Sequence, residues 1–566
     1  MSASTPKKNS FFGGAAILTA GIIIVKLIGA LYKIPLGSIL TDAGFADFNT
    51  AYNIYSLLII ISTGGLPVAL SKMVSEASSL GRGNHVHKVF QLALVAFCVL
   101  GTISFLIMAV FPAQLADLMN NSRSYWSILA LAPAVFFICP MSALRGYFQG
   151  HSLMTPTAVS QIIEAICKLA VGLVLASVLT SREVDESLAA AGAILGVSVG
   201  CLLGMVYMLF CYHGHRAHLR PSHDTPGDTR EILATLAKLA IPITLGSSII
   251  AATNILDTSI LMDRLQDALG CTEDAARNLK GVYDKTLTLY NLPSSFMVPL
   301  TASVIPAVSA ARAVKNYRQG AQISETTLRT TALLALPAGV GLFALGEPII
   351  HLLYPSTDVE LAGWMLSVLG LASICVCFML VSNSIMQAHK LVTLPMVTTL
   401  IGCIFKLIMG YWLIGNPDIG IRGGAISTVV CFGLIAVLDL VIIKRTLPRS
   451  LSYARVFVKP AGAAAVMGAS AWAIYGLTSK LLIWLDSLLK REVPLFQAVA
   501  EDGSILLNEA DAAILSWKGN ALSVMVAIGF AMIIYFVLIL LTRAISREDL
   551  SLMPKGDKIA RLLHIQ

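Results

Sequence analysis

Long apolar runs, separated by short polar segments, recur along nearly the whole of this 566-residue chain. Each run has about 20 residues, the length of a helix that crosses the hydrocarbon core of a bilayer. The runs do not alternate apolar and polar residues as the strands of a membrane β-barrel do. The pattern therefore predicts an all-α polytopic membrane protein. About fourteen spans are predicted, at 11–33, 47–73, 88–111, 125–148, 156–180, 188–212, 232–262, 282–311, 326–354, 360–388, 391–414, 420–443, 453–478 and 519–543.

Composition supports this class and indicates an orientation. The chain is 56% hydrophobic and 13% charged, with a mean hydropathy of +0.78, whereas a soluble domain is about 25% charged. Lys and Arg concentrate in the loops on one side, among them Lys72, Lys88, Arg145 and Arg312, and that side is expected to be cytoplasmic. Both termini are therefore predicted to lie in the cytoplasm of a bacterial-type cell. The net charge of +8 reflects this bias, and no nucleic-acid partner is expected.

The first half of the chain matches the second when it is shifted by 238 residues, without a gap from Tyr52 to Gly172. Rare residue types coincide in this register: Trp126 with Trp364, His151 with His389, and Lys168 with Lys406. Each copy covers six spans, and because six is even, the copies are predicted to be parallel repeats. The expected organisation is an N-terminal lobe over 1–231, a C-terminal lobe over 232–450 and an extra helix pair over 451–566, with an outer loop at 479–518. Such a repeated bundle is typical of a secondary transporter.

Charged residues inside the apolar runs are the best candidates for a site, because a charge at mid-bilayer costs at least about 2.5–3.5 kcal/mol. Glu164 and Lys168 lie four residues apart on one helix, so they can form a local ion pair. The second copy keeps Lys406 but has Gly402 in place of the carboxylate. This difference favours an anion, or a carboxylate of the other lobe, as the partner of Lys406. Asp439 lies near the cytoplasmic end of its span.

The cations of both halves are expected to meet in a central cleft, and a cleft lined by Lys suits a phosphate or pyrophosphate head group. The predicted head-group-binding residues are Lys26, Lys33, Asn53, Lys168, Asp284, Lys285, Asn291 and Lys406. Asn254 and Asp257 of the seventh span could instead bind a cation or relay a proton. Together with Glu164, they are the candidates for ion coupling or charge pairing.

Helix-breaking residues cluster in two corresponding spans. The predicted hinge residues are Gly64, Gly65 and Pro67 in the second span, and Pro293, Pro299 and Pro306 in the eighth. Breaks at membrane depth are tolerated where they line a cavity or permit bending. A gating role and simple kinked packing both remain open.

Several stretches resemble one family of lipid flippases. They are 26–35 (KLIGALYKIP), 64–67 (GGLP), 145–150 (RGYFQG) and 283–285 (YDK), the last followed by 292–293 (LP). The most specific stretch contains Arg145, Gly146, Gln149 and Gly150. Through these motifs, nearly the whole chain resembles the MurJ/SpoVB-type flippases of polysaccharide biosynthesis, which belong to the multidrug/oligosaccharidyl-lipid/polysaccharide (MOP) superfamily of MATE-like transporters.

The resemblance implies two six-helix lobes arranged as a V, alternating access, and a cationic central cavity for the diphosphate-sugar head of a polyprenyl-linked precursor. It also implies that the last two spans form a groove for the lipid tail. By position, Lys26 and Lys285 match cavity arginines of the family, and Lys keeps the charge but loses the bidentate fork. A further cavity arginine of the family has no basic counterpart near Tyr55 and Ser56.

The predicted function is therefore not enzymatic. It is the transfer of lipid II, or of a related cell-wall, spore-wall or polysaccharide precursor, from the inner to the outer leaflet of a cell membrane. The implied partners are the lipid-linked saccharide, the bilayer and enzymes of cell-wall synthesis. No cofactor is expected. The energy source is open among the membrane potential, a Na⁺ or H⁺ gradient and consumption of the substrate on the far side.

Two other functions stay open. A cation-coupled multidrug antiporter of the same superfamily would need an acidic, aromatic-lined cavity and typically only twelve spans. An integral-membrane glycosyltransferase would need catalytic carboxylates, which the acidic segment 480–518 could supply. The sequence has no phosphate-binding loop and no zinc-type spacing of Cys and His, so neither a primary pump nor a metal site is predicted.

Overall fold

The computed structural model describes residues 8–216, 223–313, 315–391, 393–446, 453–489 and 515–542. These residues fold almost entirely into α-helices, which confirms the predicted all-α class. Thirteen helical segments in the described ranges are long and apolar enough to cross a membrane. Contacts between helices divide the chain into two compact units. Unit 1 comprises the chain up to Gly281 together with Gly415–Pro417, and unit 2 comprises Val282–Ile414 and the chain from Asp418 onward.

Unit 1 contains nine described helices and the first part of a tenth. They are α1 (Lys8–Ile39), α2 (Asp42–Thr63), α3 (Leu66–Ser79), α4 (Gly83–Val110), α5 (Pro112–Leu118), α6 (Tyr125–Gly150), α7 (Thr155–Ser181), α8 (Glu186–Arg216), α9 (Thr229–Asp263) and α10 (Glu273–Tyr290). Buried aromatic and aliphatic side chains fill the core, including the stacked rings of Phe45 and Phe48 on α2. Close van der Waals packing of these side chains holds the helices together.

Unit 2 contains the second part of α10 and nine further described helices. They are α11 (Leu292–Ser295), α12 (Val298–Ala313), α13 (Tyr317–Ala344), α14 (Gly346–Leu353), α15 (Val359–Ala388), α16 (Thr393–Ile414), α17 (Arg422–Thr446), α18 (Tyr453–Leu489) and α19 (Trp517–Leu541). The C-terminal pair α18 and α19 joins this unit through polar contacts. The Trp517 indole N–H donates to the Leu352 carbonyl at 2.9 Å, and the Asn520 amide donates to the Pro348 carbonyl at 3.0 Å. Much of the predicted outer loop, 490–514, and the tail 543–566 lie outside the described residues.

The predicted repeat register is confirmed at the turn that follows its most specific motif. Helix α6 ends at Gly150 and α15 at Ala388, which are 238 residues apart, as are the first residues of α7 and α16. Within the turns, Ser152 has a φ of 60° and Lys390, 238 residues later, has a φ of 65°. This left-handed conformation is uncommon for residues other than glycine. The two halves therefore share backbone geometry where their side chains differ.

The predicted eighth span, 282–311, is not one continuous helix. It consists of the end of α10, the short α11 and α12, and this explains why thirteen candidate spans are found where fourteen were predicted. Pro293 and Pro299 are each the second residue of a helix, where the missing N–H of proline costs nothing. Pro306 lies inside α12, so it does not mark a break. The predicted first span ends before Pro35, but Pro35 likewise lies inside a helix, α1.

The second span is interrupted at its predicted glycines, between α2 and α3. A side chain at Gly65 would place its Cβ 2.1 Å from the Ala240 carbonyl oxygen of α9. The Gly65 N–H, which the break releases, donates to the Thr244 hydroxyl at 3.0 Å. Glycine is required here because the two backbones touch. Helix α9 packs against α2 and α3 within unit 1. The predicted boundary between the two lobes, after residue 231, stays a prediction.

Candidate functional site

A cavity of about 350 Å³ lies within unit 1, between α1, α2, α6, α7 and α8. Its polar and aromatic lining consists of Lys26, Tyr32, Tyr52, Tyr55, Arg145, Gln161, Glu164, Lys168 and Cys201. The lining contains three basic side chains and one carboxylate, which gives it a formal excess of two positive charges. A cavity with low-dielectric walls and this balance of charge attracts an anion.

The carboxylate of the cavity pairs with an arginine of the neighbouring helix. Arg145 on α6 donates from Nη2 to Glu164 Oε2 on α7 at 2.6 Å, and from Nε to the Ser160 hydroxyl at 3.0 Å. The Cys201 thiol of α8 donates to Glu164 Oε1 at 3.5 Å. The predicted local pair of Glu164 with Lys168 is therefore wrong, and Arg145 is a partly buried residue of α6 rather than a loop cation. An i, i+4 pair contributes only about 0.2–0.5 kcal/mol, less than a shielded guanidinium–carboxylate bond.

Lys168 is held between two aromatic rings. Its ammonium nitrogen lies 4.8 Å from the ring centre of Tyr32 and 4.8 Å from that of Tyr52. Tyr32 is fixed because its hydroxyl donates to the Ala193 carbonyl at 3.0 Å. Gly172, one turn beyond Lys168, leaves space for that ring, since a Cβ there would lie 2.9 Å from a Tyr32 ring carbon. The rings stabilise the charge without neutralising it, so Lys168 can still attract an anion.

The two predicted lysines of α1 lie two turns apart and have different surroundings. Lys26 lines the cavity and its side chain is exposed. Lys33 is partly buried, donates to the Asn49 amide oxygen at 3.3 Å and lies 5.5 Å from the Tyr52 ring centre. Only Lys26 of this pair therefore belongs to the cavity lining.

Three other predicted residues of unit 1 do not line the cavity. The Asn53 amide donates to the Thr258 hydroxyl of α9 at 3.0 Å, which ties α2 to α9. Asn254 is exposed and Asp257 is partly buried on the same helix. Their predicted role in ion coupling stays a prediction.

A buried ion pair that the sequence did not indicate fixes the start of α10. Arg277 donates from Nε to Asp47 Oδ1 at 3.0 Å and from Nη2 to Asp47 Oδ2 at 2.7 Å, and both side chains are essentially inaccessible to solvent. A further contact joins Arg277 Nη1 to Asp274 at 2.7 Å. Burial acts to lower the pKa of Arg277, but the hydrogen bonds and charge of Asp47 together raise it above its usual value. The guanidinium therefore stays charged and clamps α10 to α2.

Lys285, the lysine of α10 predicted to bind the head group, lies in unit 2. Lys285 is fully buried, donates to the Thr357 hydroxyl at 3.0 Å and lies 5.5 Å from the Tyr354 ring centre. Burial raises the pKa of the Tyr354 phenol well above its usual value. The neighbouring Asp284 is also buried, whereas Asn291, which follows α10, is exposed and its amide donates to the Leu287 carbonyl of α10. Lys285 therefore has an aromatic neighbour, as Lys168 does in unit 1.

Lys406 is buried in α16. The residue one turn before it, Gly402, packs against α17, and a Cβ there would lie 2.3 Å from an Ile435 side-chain carbon. Close packing of the two helices therefore explains why the second copy has glycine where the first has Glu164. The predicted head-group role of Lys406 stays a prediction.

The glycines of the motif at 145–150 are packing residues. A Cβ at Gly146 would lie 2.9 Å from the Pro67 carbonyl oxygen, and one at Gly150 would lie 2.7 Å from Val74 Cβ. Both contacts are made with α3, so the motif allows α6 to approach the helix that follows the glycine break. Gln149 is partly buried at the end of α6. Only Arg145 of this motif lines the cavity.

Comparison with known proteins agrees with this architecture. The model of the polysaccharide biosynthesis protein family matches residues 11–312, and the MatE family model matches residues 282–412. The chain is similar to stage V sporulation protein B of Bacillus subtilis (strain 168), with 25% identity over 455 residues that cover 78% of this chain and 85% of that protein. It is also similar to the lipid II flippase MurJ of the same organism, with 25% identity over 522 residues, 87% of this chain and 94% of that protein.

A solved structure has the same fold. The structure titled "Lipid II flippase MurJ, inward closed conformation" aligns with a TM-score of 0.64 at 14% identity, covering 93% of this chain and 99% of that one. At this identity the likeness concerns the fold alone.

Proposed function

The chain belongs to the polysaccharide biosynthesis protein family, and on that premise we propose that it is a flippase for a polyprenyl-diphosphate-linked saccharide. The proposed direction is from the inner to the outer leaflet of a bacterial-type cell membrane, by alternating access. The proposed substrate is lipid II or a related cell-wall or polysaccharide precursor, and both termini would lie in the cytoplasm.

The observation that carries this proposal is the charge of the cavity in unit 1. A diphosphate diester bears about two negative charges, which matches the formal excess of two positive charges in the lining. Lys168 can act as the central anion-binding group because the rings of Tyr32 and Tyr52 hold its ammonium in place. The half-buried ring of Tyr52 also offers an apolar face beside a polar hydroxyl, a surface that suits a sugar.

The contribution of Lys168 can be estimated. A hydrogen bond between charged partners contributes about 1.5–3 kcal/mol, so its removal should weaken head-group binding by about 10- to 100-fold. Lys168→Met keeps most of the apolar stem and removes the charge. Lys72→Met is a matched control, because Lys72 is exposed and its ion pair with Glu76 is long, at 3.9 Å.

The test is translocation of labelled lipid II by the full chain in proteoliposomes, measured as the fraction that becomes accessible on the far leaflet. Wild type and Lys72→Met should translocate it, and Lys168→Met and Lys26→Met should be slower at equal protein content. No translocation by folded wild type would exclude lipid II and direct the assay to other lipid-linked saccharides. Equal activity of all variants would retain the flippase function and refute the proposed site.

A second candidate, a cation-coupled multidrug antiporter, draws on the match of residues 282–412 to the MatE family model. Such an antiporter needs an acidic cavity for its cationic drugs, whereas the cavity of unit 1 carries a positive excess. Efflux of a cationic dye from the same proteoliposomes distinguishes the two functions. Dye transport without lipid II translocation would favour the antiporter.

A further inference from the structure

A buried aspartate in unit 2 has one carboxylate oxygen without a hydrogen-bond partner among the residues that the structure describes. Asp439 on α17 is completely inaccessible to solvent, and its Oδ1 accepts from the Thr398 hydroxyl of α16 at 2.7 Å. Its Oδ2 is buried and accepts no hydrogen bond from any residue in the described ranges. Among the residues that the structure describes, no ion pair includes Asp439.

The described groups near Asp439 do not neutralise the charge of its carboxylate. The charged and titratable groups at this end of α15 to α18 are His389, Lys390, Lys444, Arg445, Tyr453 and Lys459, and Lys406 lies two turns beyond Thr398 on α16. In the described part of the chain none of them forms an ion pair with Asp439, and the hydrogen bond to the carboxyl comes from Thr398. Lys444 lies over the Tyr453 ring at 5.9 Å, and the Tyr453 hydroxyl donates to a carbonyl of α17.

An ionised carboxylate in this position would be costly. Transfer of an unpaired carboxylate into an apolar interior costs several kcal/mol, and the group usually binds a proton instead. A metal ion is a poor alternative, because hard divalent cations take about six or more oxygen ligands. The hydrogen bonds among the described residues connect the carboxylate to the Thr398 hydroxyl, which lies 3.1 Å from the Pro395 carbonyl oxygen.

We propose that Asp439 is a proton-binding site, at which Oδ2 takes up a proton when the site is closed and releases it when water reaches the carboxyl. Binding converts the carboxylate to the neutral acid, so one positive charge enters the protein with each proton. Residues on α16 and α17 must separate to admit water, and a transporter that changes its access supplies such a motion. The coupling of this proton to transport rests on the proposed flippase function, whereas proton binding itself does not.

Infrared spectroscopy of the full chain in lipid nanodiscs tests proton binding directly. Wild type should show the carbonyl stretching band of a buried protonated carboxyl, which diminishes as the pH is raised from about 5 to about 9. Asp439→Asn should lack the band, and the control Asp257→Asn should retain it. Thr398→Val should change the frequency of the band, because it removes the hydrogen bond to Oδ1. This second variant keeps the test decisive if Asp439→Asn folds poorly.

Three outcomes would overturn the proposal. They are an unchanged band in Asp439→Asn, a wild-type band that does not respond to pH, and loss of the band when Na⁺ is added at constant pH. The last outcome would mean that the carboxyl binds a metal ion. Proteoliposomes then test coupling: an imposed pH gradient should change the rate of lipid II translocation in wild type but not in Asp439→Asn. A titrating band in a protein that moves no lipid II would refute the flippase function and leave the proton site intact.

Discussion

The ion pair between Arg145 and Glu164 can be tested by removing each partner alone and then both together. The variants are Arg145→Met, Glu164→Gln and the double variant. The two side chains are only 11% and 18% exposed, so each single variant leaves one largely buried group without its ionic partner. The double variant leaves no such charge, and Cys201 remains in place to contact the glutamine.

The expected magnitude follows from this burial. Removing one partner of a fully buried pair costs about 3–5 kcal/mol, whereas an exposed pair contributes about 0–1 kcal/mol. Both side chains line a cavity, which gives the remaining charge some access to water, so each single variant should lower the free energy of unfolding by about 2–3 kcal/mol. The double variant should lose less than the sum, with a coupling free energy of at least about 2 kcal/mol.

Unfolding in mixed micelles, followed by circular dichroism, measures these free energies. Binding of inorganic diphosphate to the folded variants gives an independent readout, because the charge of the cavity changes in opposite directions. Glu164→Gln raises the formal excess of positive charge and should strengthen binding, while Arg145→Met lowers it and should weaken binding. Additive losses of stability, or equal diphosphate binding by the two single variants, would refute the reasoning.

Two further predictions concern the packing of unit 1. Gly65→Ala places a Cβ 2.1 Å from the Ala240 carbonyl oxygen and should lower the free energy of unfolding by about 1–3 kcal/mol. The control Gly29→Ala has nothing within 4 Å of its Cβ and should leave that free energy unchanged. Thermal unfolding in detergent compares the two variants, and an equal loss in both would contradict the packing argument. Arg277→Met should cost about 3–5 kcal/mol because it leaves the Asp47 carboxylate buried without its bidentate partner, and adding Asp47→Asn should recover part of that loss in the same measurement.

The sequence determined the class and the repeat of this protein because both are local properties. An apolar run of about 20 residues already has the length that a bilayer requires, whatever surrounds it. The coincidence of rare residues at a spacing of 238 likewise needs no knowledge of packing, and the matching turns at Ser152 and Lys390 confirm it. The interruption at Gly64 and Gly65 could also be predicted, since two adjacent glycines followed closely by Pro67 weaken a helix.

The tertiary structure alone decided which charges meet. Spacing on one helix suggested that Glu164 would pair with Lys168, but the packing of α6 against α7 brings Arg145 to the carboxylate. Lys168 instead lies between rings from α1 and α2 that are more than a hundred residues away in sequence. Asp47 and Arg277, 230 residues apart, meet in the same way. A charge in a dry interior takes the partner that packing brings closest, and no local rule specifies which helix faces will pack.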